Sequence, residues 1–269
     1  MDINTKLKLN NGTEIPILGL GTWLNSGKTA ENAVLCALQS GYRHIDTASF
    51  YGNEEEIGEA IKKSGIPREE IFVTTKIWNN QHNNPEIAFN NSLKNLGLDY
   101  VDLYLIHWPV PQRLNTWKIL EKLYEEGRCK AIGVSNFTIN HLNELLKNSS
   151  TIPAVNQVEF SPYLYQQELF DFCKKNKIQL VAYSPLTRGD KLDDNNLIAI
   201  AEKYNKSSAQ ILIRWALQHN IVAIPKSSNK NRIEENADVF DFDISKEDMK
   251  LLDQFNEDGR YCWDPSEVI

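Results

Sequence analysis

The chain has 269 residues, 29 Lys and Arg against 36 Asp and Glu, a formal net charge of −7 and 41% hydrophobic residues, which suffices for a sizeable core and excludes disorder as the main state. The acidic balance, without any block of like charges, argues against nucleic acid or an anionic membrane as partner, no apolar run reaches the ~18 to 20 residues of a membrane span, and the start Met1-Asp2-Ile3-Asn4-Thr5-Lys6 lacks a signal-peptide core, so a cytoplasmic protein is expected. Cys36, Cys129, Cys173 and Cys262 are far apart, which indicates neither a disulfide framework nor a metal site.

Lys6 to Leu9 and Ile15 to Leu18 flank the turn-rich Asn10-Asn11-Gly12-Thr13 and predict an N-terminal β-hairpin. Short apolar runs then recur at Ile17 to Leu20, His44 to Asp46, Ile71 to Lys76, Val101 to His107, Ala131 to Val134, Ala154 to Glu159, Gln179 to Tyr183 and Ile221 to Ile224. They read as buried parallel strands. Amphipathic stretches alternate with them: Ala30 to Gln39, Glu54 to Lys63, Pro85 to Leu96, Thr116 to Glu125, Ile139 to Lys147, Gln166 to Lys175, Asn196 to Tyr204 and Ser208 to Gln218, with a last helix after the eighth strand. Gly41, Gly65, Gly97 and Gly127 stand where left-handed helix caps are needed. Eight alternations in the α/β class predict a (β/α)8 TIM barrel with an N-terminal β-hairpin, a single domain over residues 1–269. A doubly wound open sheet is the alternative.

Barrel chemistry sits at the carboxyl ends of the strands, and here those ends are polar: Asp46, Lys76, His107, Ser135 with Asn136, Gln157 with Glu159, Tyr183 with Ser184, and Lys226 with Ser227. Tyr51 follows Asp46 by five residues and reaches the same mouth. Asp46, Tyr51, Lys76 and His107 share one logic as a catalytic set. A phenol is a poor acid near neutrality unless a cation such as Lys76 lowers its pKa; Asp46 would hold the ammonium, and His107 would donate to a carbonyl oxygen as charge develops. Such a set suits carbonyl reduction and requires a hydride-carrying cofactor.

Gly19-Leu20-Gly21-Thr22-Trp23-Leu24 has only two glycines of the dinucleotide fingerprint, so a Rossmann site is weakly indicated. The better phosphate candidate is Ile224-Pro225-Lys226-Ser227-Ser228-Asn229-Lys230-Asn231-Arg232, which opens into a short helix and brings Lys226 and Arg232 to one phosphate. Tyr183 can stack on a nicotinamide, and Ser135, Asn136 and Gln157 can bond its carboxamide. Trp23, Phe50, Trp78 and Trp108 lie just beyond strand ends and predict an aromatic-walled substrate pocket.

Gly41-Tyr42-Arg43-His44-Ile45-Asp46-Thr47-Ala48 with Tyr51-Gly52-Asn53-Glu54, Lys130-Ala131-Ile132-Gly133-Val134-Ser135-Asn136-Phe137, and Ile224-Pro225-Lys226-Ser227 through Arg232 resemble the three signatures of the aldo-keto reductases. The resemblance runs from Gly19 to Arg232, and the short loop after Trp108 and the short tail bring it closest to small microbial members of the diketogluconate and glyoxal reductase types. It implies an oxidoreductase, an aldehyde reductase using NADPH/NADP+ with NADH as a weaker alternative, Tyr51 as proton donor, Lys76 and Asp46 as its pKa-lowering partners and His107 orienting the carbonyl. It also implies cofactor contacts from Gly21, Thr22 and Trp23, from Ser135, Asn136, Gln157 and Tyr183 at the nicotinamide, and from Ser184 and Leu186 along the pyrophosphate. Lys226, Ser227, Asn229, Arg232, Glu235 and Asn236 fall at the adenosine end. The expected partner is a small carbonyl substrate, and a monomer is expected, with a dimer as the alternative. The short tail from Trp263 to Ile269 is expected to leave the pocket open. A non-catalytic NADPH-binding sensor is the rival reading, and the intact set of four counts against it.

Overall fold

In the computed structural model, which describes residues 1–268, β1 (Lys6–Lys8) and β2 (Glu14–Pro16) pair antiparallel as the expected hairpin. The barrel units follow: β3 (Leu20–Gly21), α1 (Gly27–Gln39), β4 (His44–Asp46), α2 (Glu54–Ser64), β5 (Phe72–Ile77), α3 (Pro85–Leu96), β6 (Leu103–Ile106) and α4 (Arg113–Glu125). The second half comprises β7 (Ile132–Ser135), α5 (Ile139–Asn148), β8 (Val155–Glu159), α6 (Gln167–Lys175), β9 (Gln179–Tyr183), α7 (Asn195–Lys203), α8 (Ser208–Gln218), β10 (Val222–Ala223), α9 (Lys230–Ala237) and α10 (Lys246–Asp253). Strands β3 to β10 lie side by side in chain order, each parallel to the next. The sheet closes on itself through parallel bridges from Leu18 to Ala223 and from Gly21 to Lys226, so the barrel, not the open sheet, is the architecture. At this seam the Gly19 N–H donates to Ala223 O at 2.9 Å and the Ala223 N–H to Ile17 O at 3.0 Å.

The closure explains Gly21: a Cβ there would stand 2.8 Å from the carbonyl oxygen of Ile224, so a side chain would push the seam apart. Gly133 serves a similar end inside the barrel, where a Cβ would meet Val155 O at 2.7 Å and Leu105 Cδ2 at 2.8 Å. Two apolar layers result. Between sheet and helices lies the larger, including Val73, Tyr104, Phe160 and Trp215, each wholly buried. Inside the strands, Leu103, Leu105, Val155, Val181 and Val222 pack together, with Leu9 and Ile15 of the hairpin against them. The hairpin also bonds the strand starts, Asn11 Nδ2 donating to Lys130 O at 2.9 Å and Asn10 Nδ2 to Pro153 O at 3.0 Å. It therefore seals the amino-terminal end of the barrel and leaves the carboxyl ends of the strands as the accessible mouth. Among the described residues no helix is long and apolar enough to cross a membrane.

Candidate active site

Three strand ends and one turn bring the predicted catalytic set together. Asp46 ends β4, His107 follows β6, and Lys76 lies in β5 in register with Leu105 of the inner layer, which aims its side chain into the barrel. The Lys76 ammonium donates to Asp46 Oδ1 at 2.5 Å and to Thr47 O at 2.7 Å. Tyr51 ends a single 3-10 turn, Ser49–Tyr51, with the Lys76 ammonium 5.1 Å from its ring centre and the His107 ring edge-on at 5.7 Å. That turn is pinned from both sides. The Ser49 hydroxyl lies 2.9 Å from Lys76 O and 2.8 Å from Gln81 Oε1, and Asn53 Nδ2 donates to Thr22 O and Asn25 O at 3.0 and 2.9 Å. The Thr47 hydroxyl completes the brace by donating to Asn53 Oδ1 at 2.6 Å.

Burial sets the electrostatics. It pushes Asp46 up and pulls Lys76 down, while their mutual contact works the opposite way on each. Burial and then the Lys76 charge hold His107 well below the ordinary 6.5, so the ring is a neutral imidazole. Its Nδ1 is enclosed without a hydrogen-bond partner. The Tyr51 phenol is raised well above 10.0, by burial first, then Asp46 and Cys262. This corrects the sequence-based expectation of a lowered pKa. Lys76 commits two of its three donors to Asp46 and Thr47, and the carboxylate beside it opposes its effect on the phenol, leaving a tyrosine that stays protonated.

Several residues expected around a cofactor border the catalytic set at neighbouring strand ends. Asn136, with φ of 62° just after β7, donates from Nδ2 to His107 O at 3.0 Å and accepts the Tyr183 hydroxyl at 2.8 Å; the Ser135 hydroxyl donates to Gln157 O at 2.8 Å. Asparagine tolerates this left-handed backbone where most residues do not. Gln157 is turned toward the catalytic set, with Nε2 donating to Asp46 Oδ2 at 2.7 Å. The Thr22 hydroxyl donates to Asp46 O at 2.9 Å. Ser184 and Leu186 are half-buried in the turn after β9. At the barrel seam Lys226 and Arg232 are exposed, while Asn229 caps α9 by accepting the Arg232 N–H at 3.2 Å. Ser227 is buried and its hydroxyl accepts the Asn229 N–H at 3.1 Å. Glu235 and Asn236 face the protein: Glu235 Oε1 accepts the Ser207 hydroxyl at 2.5 Å, and Asn236 is buried.

Phe50 stacks on Trp78 at 3.8 Å, and Trp78 meets the His107 ring edge-on at 5.0 Å. The tail departs from the expected open arrangement. Both carboxylate oxygens of Glu159 accept tail amides, from Tyr261 at 2.8 Å and Cys262 at 3.1 Å, which carries Trp263 to 5.7 Å from Trp108 and Cys262 to the guanidinium of Arg188. Arg188 lies 4.6 Å over the Trp23 ring. The sequence does not mark Arg188, Cys262 and Trp263, because contacts between distant segments, those of Glu159 and Asp190 with the tail among them, bring them together. Among the described residues no group of three or more His, Cys, Asp or Glu is placed to hold a metal.

The Aldo/keto reductase family model matches residues 17–257. A glyoxal reductase of Bacillus subtilis (strain 168) is 52% identical over 267 residues, covering 98% of this chain and 97% of that protein. The crystal structure of an aldo-keto reductase from a Medee basin deep-sea metagenome library superposes with a TM-score of 0.95 at 51% identity, over 98% of this chain and 100% of that one. A Bombyx mori aldo-keto reductase solved in complex with NADP superposes with a TM-score of 0.92 at 38% identity, over 100% of this chain and 98% of that one.

Proposed function

The chain belongs to the aldo/keto reductase family and is an oxidoreductase, and from that premise we propose that it reduces aldehydes and some ketones to alcohols with NADPH, Tyr51 acting as the acid. The observation that carries this reading is the buried pair of Lys76 and Asp46 set beneath the ring of Tyr51, with a neutral His107 edge-on to the same phenol.

The residues at the mouth fit a nicotinamide cofactor. Tyr183 presents a ring beside the polar side chains of Ser135 and Asn136, and the exposed cations Lys226 and Arg232 flank the opening of α9, a place suited to a 2′-phosphate. The relative solved with NADP supports the same choice. The chemistry supplied by the bound nicotinamide is hydride transfer to the carbonyl carbon.

The chain's own residues do the rest. His107, neutral and with Nδ1 enclosed, meets the carbonyl oxygen through Nε2–H and fixes its direction. Tyr51, kept as a phenol by burial, gives its proton to that oxygen as negative charge develops there. The ammonium of Lys76 lies near enough to offset the charge left on the tyrosine oxygen, while Asp46, held in turn by Gln157, keeps that ammonium in place. Phe50, Trp78 and Trp108 shield the reacting atoms with apolar rings and strengthen each of these interactions by excluding water. Turnover of NADPH with a panel of methylglyoxal, aromatic aldehydes, aldoses and keto acids, followed by cofactor absorbance, tests the reading. Reduction of at least one aldehyde is expected, and tight cofactor binding with no turnover on any of them would overturn it in favour of a sensor.

A further inference from the structure

The mouth is rimmed by a nearly continuous chain of side-chain contacts, Phe50 on Trp78 at 3.8 Å, Trp78 on His107 at 5.0 Å, Trp108 on Trp263 at 5.7 Å, Cys262 on Arg188 at 2.9 Å and Arg188 on Trp23 at 4.6 Å. All but two members are aromatic rings. With His107 neutral and the Cys262 thiol pushed up, first by burial and then by Glu159, Arg188 is the one charged group of this rim.

Among the described residues no acid forms a direct ion pair with it, although Glu159 is near enough to feel its charge. Glu159 is occupied by the amides of Tyr261 and Cys262, and Asp190 accepts the Tyr261 hydroxyl at 2.6 Å, so the guanidinium ends on a neutral sulfur. Its backbone is also held in a conformation side chains avoid: φ is 48° at Ser184, 51° at Thr187 and 54° at Arg188, in a turn closed by the Thr187 N–H on Ser184 O at 2.9 Å and the Gly189 N–H on Leu186 O at 2.7 Å. A left-handed β-branched threonine is uncommon and persists only where the surroundings impose it. The result is an arginine whose guanidinium lies over the Trp23 ring and donates from Nη2 to Cys262 Sγ. Cys262, its neighbour, lies close to the Tyr51 and Tyr183 phenols.

We propose that Arg188 is a specificity-determining residue which receives a carboxylate of the substrate, so that aldehydes carrying a carboxylate beyond the carbonyl are preferred over neutral aldehydes of the same size. This rests on the reading of Tyr51 and His107 as the carbonyl site. With the carbonyl oxygen held there and the carbon skeleton along the aromatic rim, the far end of a short substrate arrives at Arg188. A planar guanidinium takes a carboxylate through two parallel hydrogen bonds, and its stacking on Trp23 removes freedom it would otherwise lose on binding.

The test compares para-carboxybenzaldehyde with its methyl ester as substrates of the full chain with NADPH, reading the ratio of their kcat/KM values. The acid is expected to be preferred, and that ratio to fall by about tenfold in Arg188→Gln, to survive within about threefold in Arg188→Lys, and to fall as salt is added. The salt series uses the unaltered protein and so remains decisive if a variant fails to fold. A ratio that ignores both salt and Arg188→Gln overturns the proposal, as does an unchanged ratio with a raised NADPH dissociation constant, which would assign Arg188 to the cofactor. Reduction of the ester alone would overturn it while leaving the carbonyl site intact, whereas reduction of neither probe, nor of any aldehyde in the wider panel, would bring down both.

Discussion

Lys76 and Asp46 meet at 2.5 Å with 0% and 3% of their side chains exposed, so neither charge is relieved by water. Removing one member of such a pair strands the other, at a cost of ~3 to 5 kcal/mol. Lys76→Met and Asp46→Asn are each expected to lower unfolding stability by about that much and turnover by about 10²-fold or more. The double variant should recover stability in urea denaturation yet regain no activity. Recovery of both would mean that the pair serves the fold alone.

Tyr51 offers a sharper test, because burial and Asp46 raise its phenol well above 10.0. A proton donor with a raised pKa loses its proton only at the alkaline extreme. The profile of kcat/KM for reduction, which reports the free enzyme, should therefore show no fall from Tyr51 between about pH 6 and about pH 9. Tyr51→Phe should abolish turnover while NADPH still binds in a fluorescence titration. A basic limb near neutrality in the kcat/KM profile of the unaltered protein would restore the lowered pKa expected from sequence.

Much of this architecture is legible in local pattern. The runs His44–Asp46 and Gln179–Tyr183 and the helices Pro85–Leu96 and Ser208–Gln218 keep their predicted bounds, because a buried strand and an amphipathic helix each write their period into adjacent residues. Placing Asp46, Lys76 and His107 at one mouth needs only that period and the rule that barrel strands run parallel. What the pattern does not carry is contact between distant segments. The amides of Tyr261 and Cys262 find Glu159 about a hundred positions earlier, and nothing in the composition of the tail marks that meeting. The direction of the Tyr51 shift was hidden for the same reason, since it depends on how deeply the ring is enclosed.

Arg232 is exposed at the first turn of α9 beside Asn229, where it can meet a 2′-phosphate. A charge-assisted contact of this type is worth ~1.5 to 3 kcal/mol. Arg232→Ala should weaken NADPH by about 10- to 100-fold and NADH by far less, as read from paired fluorescence titrations. Equal losses for the two cofactors would place the 2′-phosphate elsewhere.

Four buried histidines, His44, His82, His107 and His141, make the fold sensitive to acid. Burial lowers His44 to about 3 and His82 to about 4, and holds His107 well below 6.5. Below 6.5 the unfolded chain takes up protons that the folded one refuses, so the stability these groups contribute is complete above that pH and is lost as pH falls toward the folded values. At about pH 5 His44 and His82 are each expected to have cost roughly 2 kcal/mol relative to neutrality. His82→Asn, which can keep the bond to Thr116, should make the dependence of unfolding free energy on pH shallower by one proton. Parallel curves for the two proteins would contradict a neutral His82 in the fold.

Gln157 stands between two roles that make opposite demands on the measurement. The family resemblance assigns it to the nicotinamide, yet its Nε2 donates to Asp46 Oδ2 at 2.7 Å, on the far side of that carboxylate from Lys76. Without this donor the buried Asp46 loses a partner that favours its charged form, at a cost of about 1 to 3 kcal/mol. Gln157→Leu should therefore lower kcat and unfolding stability together, with the NADPH dissociation constant changed less than either. A variant that binds NADPH much more weakly but keeps its stability and its kcat at saturating cofactor would assign Gln157 to the nicotinamide, leaving Asp46 to be held by Lys76 alone.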